Sequence, residues 1–203
     1  MHLGPLAMDV TEQGSVTQGV ETAITARGPV QICVANAGIA EGRGIGKMDL
    51  SFWRKIMATN LDGAFMTIQA CLPGMLSTDW GRVIGVSSVA GVRGLRGAPA
   101  YTASKHGLVG LIRGLSEDYM GQPYTFNALC PGYVDTAIVT RSVDAISSRT
   151  DMSEKEALNM LMRSNRHKRL IAPDEIGEAA AWLCADGSAS VNGQTIEISG
   201  GQV

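Results

Sequence analysis

Aromatic side chains are scarce in this chain: Phe, Trp and Tyr make up 5% of its 203 residues. A core assembled without them is aliphatic, and the 25 glycines point to many close backbone approaches. No apolar run nears the roughly 18 residues that a membrane-spanning helix needs. The first residues also lack the basic-then-apolar pattern of a secretion signal, so a cytoplasmic protein with no membrane partner is expected. A positive excess is missing too; the formal net charge is −2, which argues against nucleic acid as a partner. Cysteine is sparse and scattered. Cys33, Cys71, Cys130 and Cys184 form no C-x-x-C pair, so neither a zinc site nor a disulfide framework is indicated, and buried reduced thiols are expected. His2, His106 and His167 show no metal-ligand spacing, and no metal is assigned. Repeats and linkers are lacking as well, and the length suits one domain over residues 1–203 with a substantial core.

What is there is an alternation of strand-like and helix-like runs, the pattern of a parallel sheet covered by helices on both faces. A short extended piece over 2–10 leads into a helix over 12–26. Strands follow at 29–34, 81–86, 124–130 and 195–199. Between them lie a helix capped by Asp49 or Ser51, a helix over 101–120 and one running from Pro173 to Leu183. The first of these is expected to turn Trp53, Ile56, Met57, Leu61, Phe65, Ile68 and Leu72 toward the core. Residues 137–170 alternate like neither neighbour; one or two helices outside the sheet, in the position of a lid, are expected there.

The chemistry concentrates where the second of these strands ends. Ser88 follows the buried run Val83, Ile84, Val86, at the strand end where ligands bind in open α/β sheets. Tyr101 and Lys105, at i and i+4, share one helix face. An ammonium near a phenol favours the phenolate and lowers its pKa from about 10. Tyr101 is thus expected to exchange a proton with a substrate oxygen that Ser88 orients. From the spacing alone, Tyr101 also reads as a helix-start aromatic and Lys105 as a solvated charge. The run Gly42-Arg43-Gly44-Ile45-Gly46 has no strand before it and reads as a loop at the substrate entrance rather than a phosphate cradle.

Several motifs in order resemble the short-chain dehydrogenase/reductase family, over essentially the whole chain. Asn36-Ala37-Gly38 is similar to its N-A-G turn, Tyr101 to Lys105 to its Y-x-x-x-K motif, and Ser88 stands thirteen residues before the tyrosine, as in the family. Asn60 is similar to its helix asparagine, Asp9-Val10 to the pair beside the adenine, and Pro131, Gly132, Val134 and Thr136 to the loop around the nicotinamide. The resemblance implies an α/β, Rossmann-like doubly wound parallel sheet and an NAD- or NADP-dependent enzyme. It implies Tyr101 as general acid/base, Lys105 lowering its pKa and binding the nicotinamide ribose, and Ser88 holding the substrate oxygen. Asn60 is implied to kink its helix and hold a relay water. Asn36, Ala37, Gly38, Asp9, Val10, Pro131, Gly132, Val134 and Thr136 are implied to bind the cofactor. Asp9 alone also reads as the N-cap of the helix after it.

The family's glycine-rich first turn has no counterpart, as if two strand-helix units, roughly 50 residues, preceded Met1. A gap inside the sheet is therefore expected, closed by new pairing or by a partner chain or left less ordered, and the chain alone is expected to bind a dinucleotide weakly, with inactivity of the truncated chain one of two readings. Two functions stay open: an oxidoreductase interconverting a secondary alcohol and a ketone, or a non-catalytic remnant serving as an oligomerising scaffold. For the enzyme, a homo-oligomer (dimer or tetramer) acting on a small molecule is expected. The lid length is similar to that of 3-hydroxybutyrate dehydrogenases, but the three positions at which those enzymes bind a carboxylate hold Ala40, Ala90 and Ala98. A 3-hydroxyacyl thioester or a cyclic alcohol fits better, with Arg163, Arg166, His167, Lys168 and Arg169 as a basic rim or simply as a solvated helix end.

Overall fold

The computed structural model describes residues 4–202. Its strands are β1 (Ile32–Ala35), β2 (Gly81–Val86), β3 (Tyr124–Pro131) and β4 (Thr195–Ile198), all parallel and in the order β1-β2-β3-β4. A central parallel strand is covered on both faces and so carries no polar alternation; every residue of β3 is buried. Val83 and Ile84 show how the pleat divides the core. Val83 joins Cys33, Ala35, Phe126 and Ala128 under one helical layer, whereas Ile84 joins Leu129 and Leu183 under the other. The first layer is α1 (Gln13–Arg27), α3 (Gly63–Met75) and α4 (Pro99–Asp118), with α1 packed on α3. The second is α7 (Pro173–Cys184). Aliphatic side chains dominate both, as the scarcity of aromatics requires.

Of the outcomes expected at the gap, the sheet of the described residues shows no unpaired strand inside it. Each strand pairs with the next in sequence, which leaves edges at β1 and β4; at β1, Ile32 and Val34 are 43% and 44% exposed. Backbone groups at such an edge meet water, whereas those at an interior gap would be buried without partners. Of the expected leading extended piece, His2 and Leu3 lie outside the described residues, and residues 4–9 take no regular structure.

The helix expected after Asp49 is broken in two. Asp49 is its cap, Oδ1 accepting from the Phe52 N–H at 2.7 Å, and α2 (Leu50–Met57) then passes through a π-helical turn, Ala58–Asp62, into α3. One extra residue in that turn rotates everything after it by about 100°. Beyond that turn Ile68 and Cys71 reach the core, as expected for Ile68, while Phe65, expected beside it, stands 45% exposed. Residues 137–170 form two helices, α5 (Ala137–Ser147) and α6 (Glu154–Ser164), the latter closed by a Ser153–Glu156 capping box. They build a small core of their own from Val139, Val143, Ala157 and Leu161.

Candidate functional site

The carboxyl end of β2 sets the first group. Ser88 leaves the strand in an extended conformation and its Oγ accepts from the Ala90 N–H at 3.1 Å, opening a short 3-10 turn, Val89–Gly91. That turn packs directly on α4. The Ser87 hydroxyl donates to the Lys105 carbonyl at 3.1 Å, and a Cβ on Gly91 would collide with the same two groups. Pro99 begins α4, its fixed φ suiting the first helical position. Tyr101 thereby lies near enough to Ser88 for that hydroxyl to pull the phenol's pKa downward.

Lys105 lies one turn further on and is 4% exposed. Its Nζ donates to the Val86 carbonyl at 2.8 Å and stands 5.9 Å from the centre of the Tyr101 ring. Burial pushes the amine down to about 8, with Cys130 opposing the fall. Tyr101 departs from expectation: burial raises its pKa, and the Ser88 hydroxyl only partly offsets this. The phenol lies deeper than its spacing suggested, and the ammonium meant to lower its pKa is itself desolvated and turned toward a carbonyl.

Asn60 sits in the π turn and is fully buried. Its Oδ1 accepts from the Ile39 N–H at 2.8 Å, and Nδ2 donates to the Ile39 carbonyl at 2.9 Å and to Ser104 Oγ at 3.1 Å. The asparagine thus fixes the chain just past Asn36-Ala37-Gly38. A Cβ on Gly38 would sit 3.3 Å from Asn60 Oδ1 and 3.4 Å from Lys105 Nζ, so this turn, the π turn and the amine meet at one point. Beside them Val10, Asn36, Ala37 and Gly63 line a cavity of about 160 Å³. Asp9 departs from its capping alternative. Its Oδ1 accepts from the Thr11 N–H and hydroxyl at 2.9 and 2.8 Å, and α1 starts from Glu12 instead.

Pro131 ends β3, and the loop after it is pinned from two sides. The Gly132 N–H donates to the Ile198 carbonyl at 2.9 Å, and Val134 forms a parallel bridge with Ile171. Thr136 then stands at the N-cap position of α5, its hydroxyl turned back to the Val134 carbonyl at 3.4 Å. The residue that sequence reasoning missed here is Asn165, fully buried after α6. Its Oδ1 accepts from the Tyr133 N–H at 3.0 Å while Nδ2 donates to the carbonyls of Tyr133 and Arg169 at 2.9 and 2.8 Å. In sequence it stands among Arg, Ser and Lys and reads as solvated loop. Of the basic rim, Arg169 is paired through two hydrogen bonds with Glu175 in the first turn of α7. The Gly42 loop lies by the lid, its carbonyl accepting from Arg149 at 3.0 Å.

The reading of inactivity finds no support in this geometry, since Ser88, Tyr101, Lys105 and Asn60 are assembled. The pocket residues also fit a nicotinamide dinucleotide: a buried amine, a tight glycine turn and an apolar-walled cavity adjoin the proton-transfer pair. No helix among the described residues is long and apolar enough to cross a membrane. A parallel sheet layered by helices, with a serine–tyrosine pair and a buried lysine at its strand ends, defines a Rossmann-like α/β oxidoreductase scaffold. A family model described as enoyl-(acyl carrier protein) reductase matches residues 2–202. Nodulation protein G of Azospirillum brasilense is 37% identical over 86% of this chain, which spans 66% of that relative. An acetoacetyl-CoA reductase of Rhizobium meliloti is 31% identical over 96% of this chain and 76% of its own length. A variant of actinorhodin polyketide ketoreductase solved with NADPH superposes with a TM-score of 0.92 at 30% identity, over 96% of this chain and 76% of that one. The chain belongs to the short-chain dehydrogenase/reductase family.

Proposed function

We propose that the protein is an NAD(P)-dependent oxidoreductase interconverting a secondary alcohol and a ketone, with a 3-oxoacyl thioester as its ketone. One observation carries the reading: the buried Lys105 amine stands 5.9 Å from the centre of the Tyr101 ring, at the carboxyl end of β2 where Ser88 leaves the strand. The names of the acetoacetyl-CoA reductase and polyketide ketoreductase relatives support the substrate class.

A bound nicotinamide dinucleotide supplies hydride transfer. Asn36, Ala37, Gly38, Pro131, Gly132, Val134 and Thr136 hold its nicotinamide half with Lys105, and Asp9 and Val10 its adenine side. Ser88 donates to the substrate oxygen and fixes its direction. Tyr101, kept protonated by burial, gives its phenolic proton to that oxygen in reduction and recovers one from the alcohol in oxidation. Lys105 reprotonates the phenolate, and Asn60 keeps the turn beside it in place. The α5–α6 pair closes over the substrate as a lid. Self-association through the outer side of α3, where Phe65 is exposed, accompanies this reading.

Replacing Tyr101 by Phe keeps the ring and removes the proton. Turnover of a 3-oxobutanoyl thioester is expected to fall by about 100-fold or more, with the dinucleotide Kd held. Undiminished turnover in Tyr101→Phe would falsify the acid/base role.

A further inference from the structure

Strand β4 ends at Ile198, whose carbonyl accepts from the Gly132 N–H at 2.9 Å. The chain then turns sharply on Gly200 and Gly201, at φ +61° and +83°, values that suit residues without a Cβ. The Gln202 N–H closes this turn on Ser199 Oγ at 3.1 Å. A Cβ on Gly200 would collide with the His167 ring, and Gly201 lies beside Arg166, so the turn rests on the segment that follows α6. The chain beyond β3, beyond β4 and beyond α6 therefore meets in one place.

Gly132 is enclosed there. A Cβ on it would stand 2.5 Å from Asn165 Oδ1, 3.0 Å from Gln202 Oε1 and 3.2 Å from Ser199 Cα. The two amide oxygens differ in their bonding. Asn165 Oδ1 has its donor in the Tyr133 N–H, whereas Gln202 Oε1 is buried and has none. An unpaired buried carbonyl oxygen lowers stability, so hydrogen bonding inside the protein does not account for this side chain. Its contact with Gly132 does. A glycine has no side chain to limit the rotation of its own backbone; here the two amides fill the space its Cβ would take and limit that rotation from outside.

We infer that Gln202 is a positioning residue for the cofactor: by filling the space beside Gly132, it holds the turn at residues 131–134 in the conformation that receives the nicotinamide half of the dinucleotide. The inference rests on the proposed role of that turn and adds the wedge that keeps its shape. Gln202 acts through Gly132 and needs no contact with the ligand. A turn ordered beforehand binds more tightly, because less ordering is left to be done on binding.

The test compares wild type, Gln202→Ala, Gln202→Met and Gly132→Ala by calorimetry, with NADH against ADP-ribose and NADPH against 2′-phospho-ADP-ribose. The second ligand of each pair lacks the nicotinamide, so the preference for the first reads the nicotinamide end alone and needs no turnover. In Gln202→Ala that preference is expected to fall by about 3- to 10-fold, with the nicotinamide-free ligand bound as in wild type. Gln202→Met refills the space without the unpaired oxygen; it is expected to recover the preference to within about twofold and to melt no lower than wild type. Gly132→Ala examines the turn itself. An intact preference in Gly132→Ala, or no dinucleotide binding by wild type, removes the turn from the cofactor site and the inference with it. Where Gly132→Ala loses the preference, three results overturn the inference alone: a preference kept within about twofold in Gln202→Ala, equal weakening of both ligands there, or no recovery in Gln202→Met.

Discussion

Lys105 sets function against stability more sharply than any other residue of the site. Its folded pKa of about 8 lies below the ordinary 10.5, so between those pH values the unfolded chain binds a proton that the native protein has lost. Stability then rises with pH across that window, and below pH 8 the buried ammonium costs its full amount, about 3 kcal/mol. Lys105→Met removes that cost and forfeits the bond to Val86, worth about 1 kcal/mol. We expect the variant to be inactive yet about 2 kcal/mol more stable in urea at pH 7, with a flatter pH dependence. A variant weaker than wild type at pH 7 would show that the amine is not held at a penalty. The raised Tyr101 pKa has its own consequence, since a phenol suits reduction at neutral pH and alcohol oxidation should speed up as pH rises. At this scale Ser88, Tyr101 and Lys105 were legible because a strand end and an i, i+4 spacing survive in the sequence. Asn165 and Gln202 were not, because their partners, Tyr133 and Gly132, stand far earlier in the chain and only the fold makes them neighbours.

Among the elements, strands and helices were readable to within a few residues; the resemblance placed a kink at Asn60, but its form as a π turn was not legible in the apolar pattern. A single inserted residue barely alters an apolar pattern, and only the outward Phe65 betrays the change of phase. The same scale shows one device used three times. Asn60, Asn127 and Asn165 are buried amides, each bonding a loop's N–H and carbonyl groups, as Asn127 does with Gln194 and Val191 at 3.0 and 2.7 Å. Asn127 secures the approach to β4, away from the reacting groups, whereas Asn165 secures the loop that is to hold the nicotinamide. Both Ala variants lose similar bonds and should lose comparable stability, about 2 kcal/mol. Dinucleotide affinity, followed by calorimetry, should drop severalfold more in Asn165→Ala. Equal losses in the two variants would reduce Asn165 to a structural clamp.

For the whole molecule, the decisive asymmetry is that the two faces of the sheet are unequally covered. Helices α1, α3 and α4 shield one face from β1 to β3, but α7 lies on Ile84 and Leu129 and leaves the β1 end of the other face open. Ile32 and Val34 stand there beside a strand edge with unpaired backbone groups, the combination that templates strand addition between chains. Charge on such an edge is how natural sheets discourage it. Ile32 is already 43% exposed, so Ile32→Lys gives up little core and places an ammonium where a second edge would dock. Light scattering against concentration should show less association for Ile32→Lys than for wild type, at an unchanged melting temperature. Phe65→Lys, on the opposite layer, separates this edge contact from the α3 contact proposed above. If association persists in Ile32→Lys and vanishes in Phe65→Lys, the molecules meet through their helices and the exposed edge is tolerated as it stands.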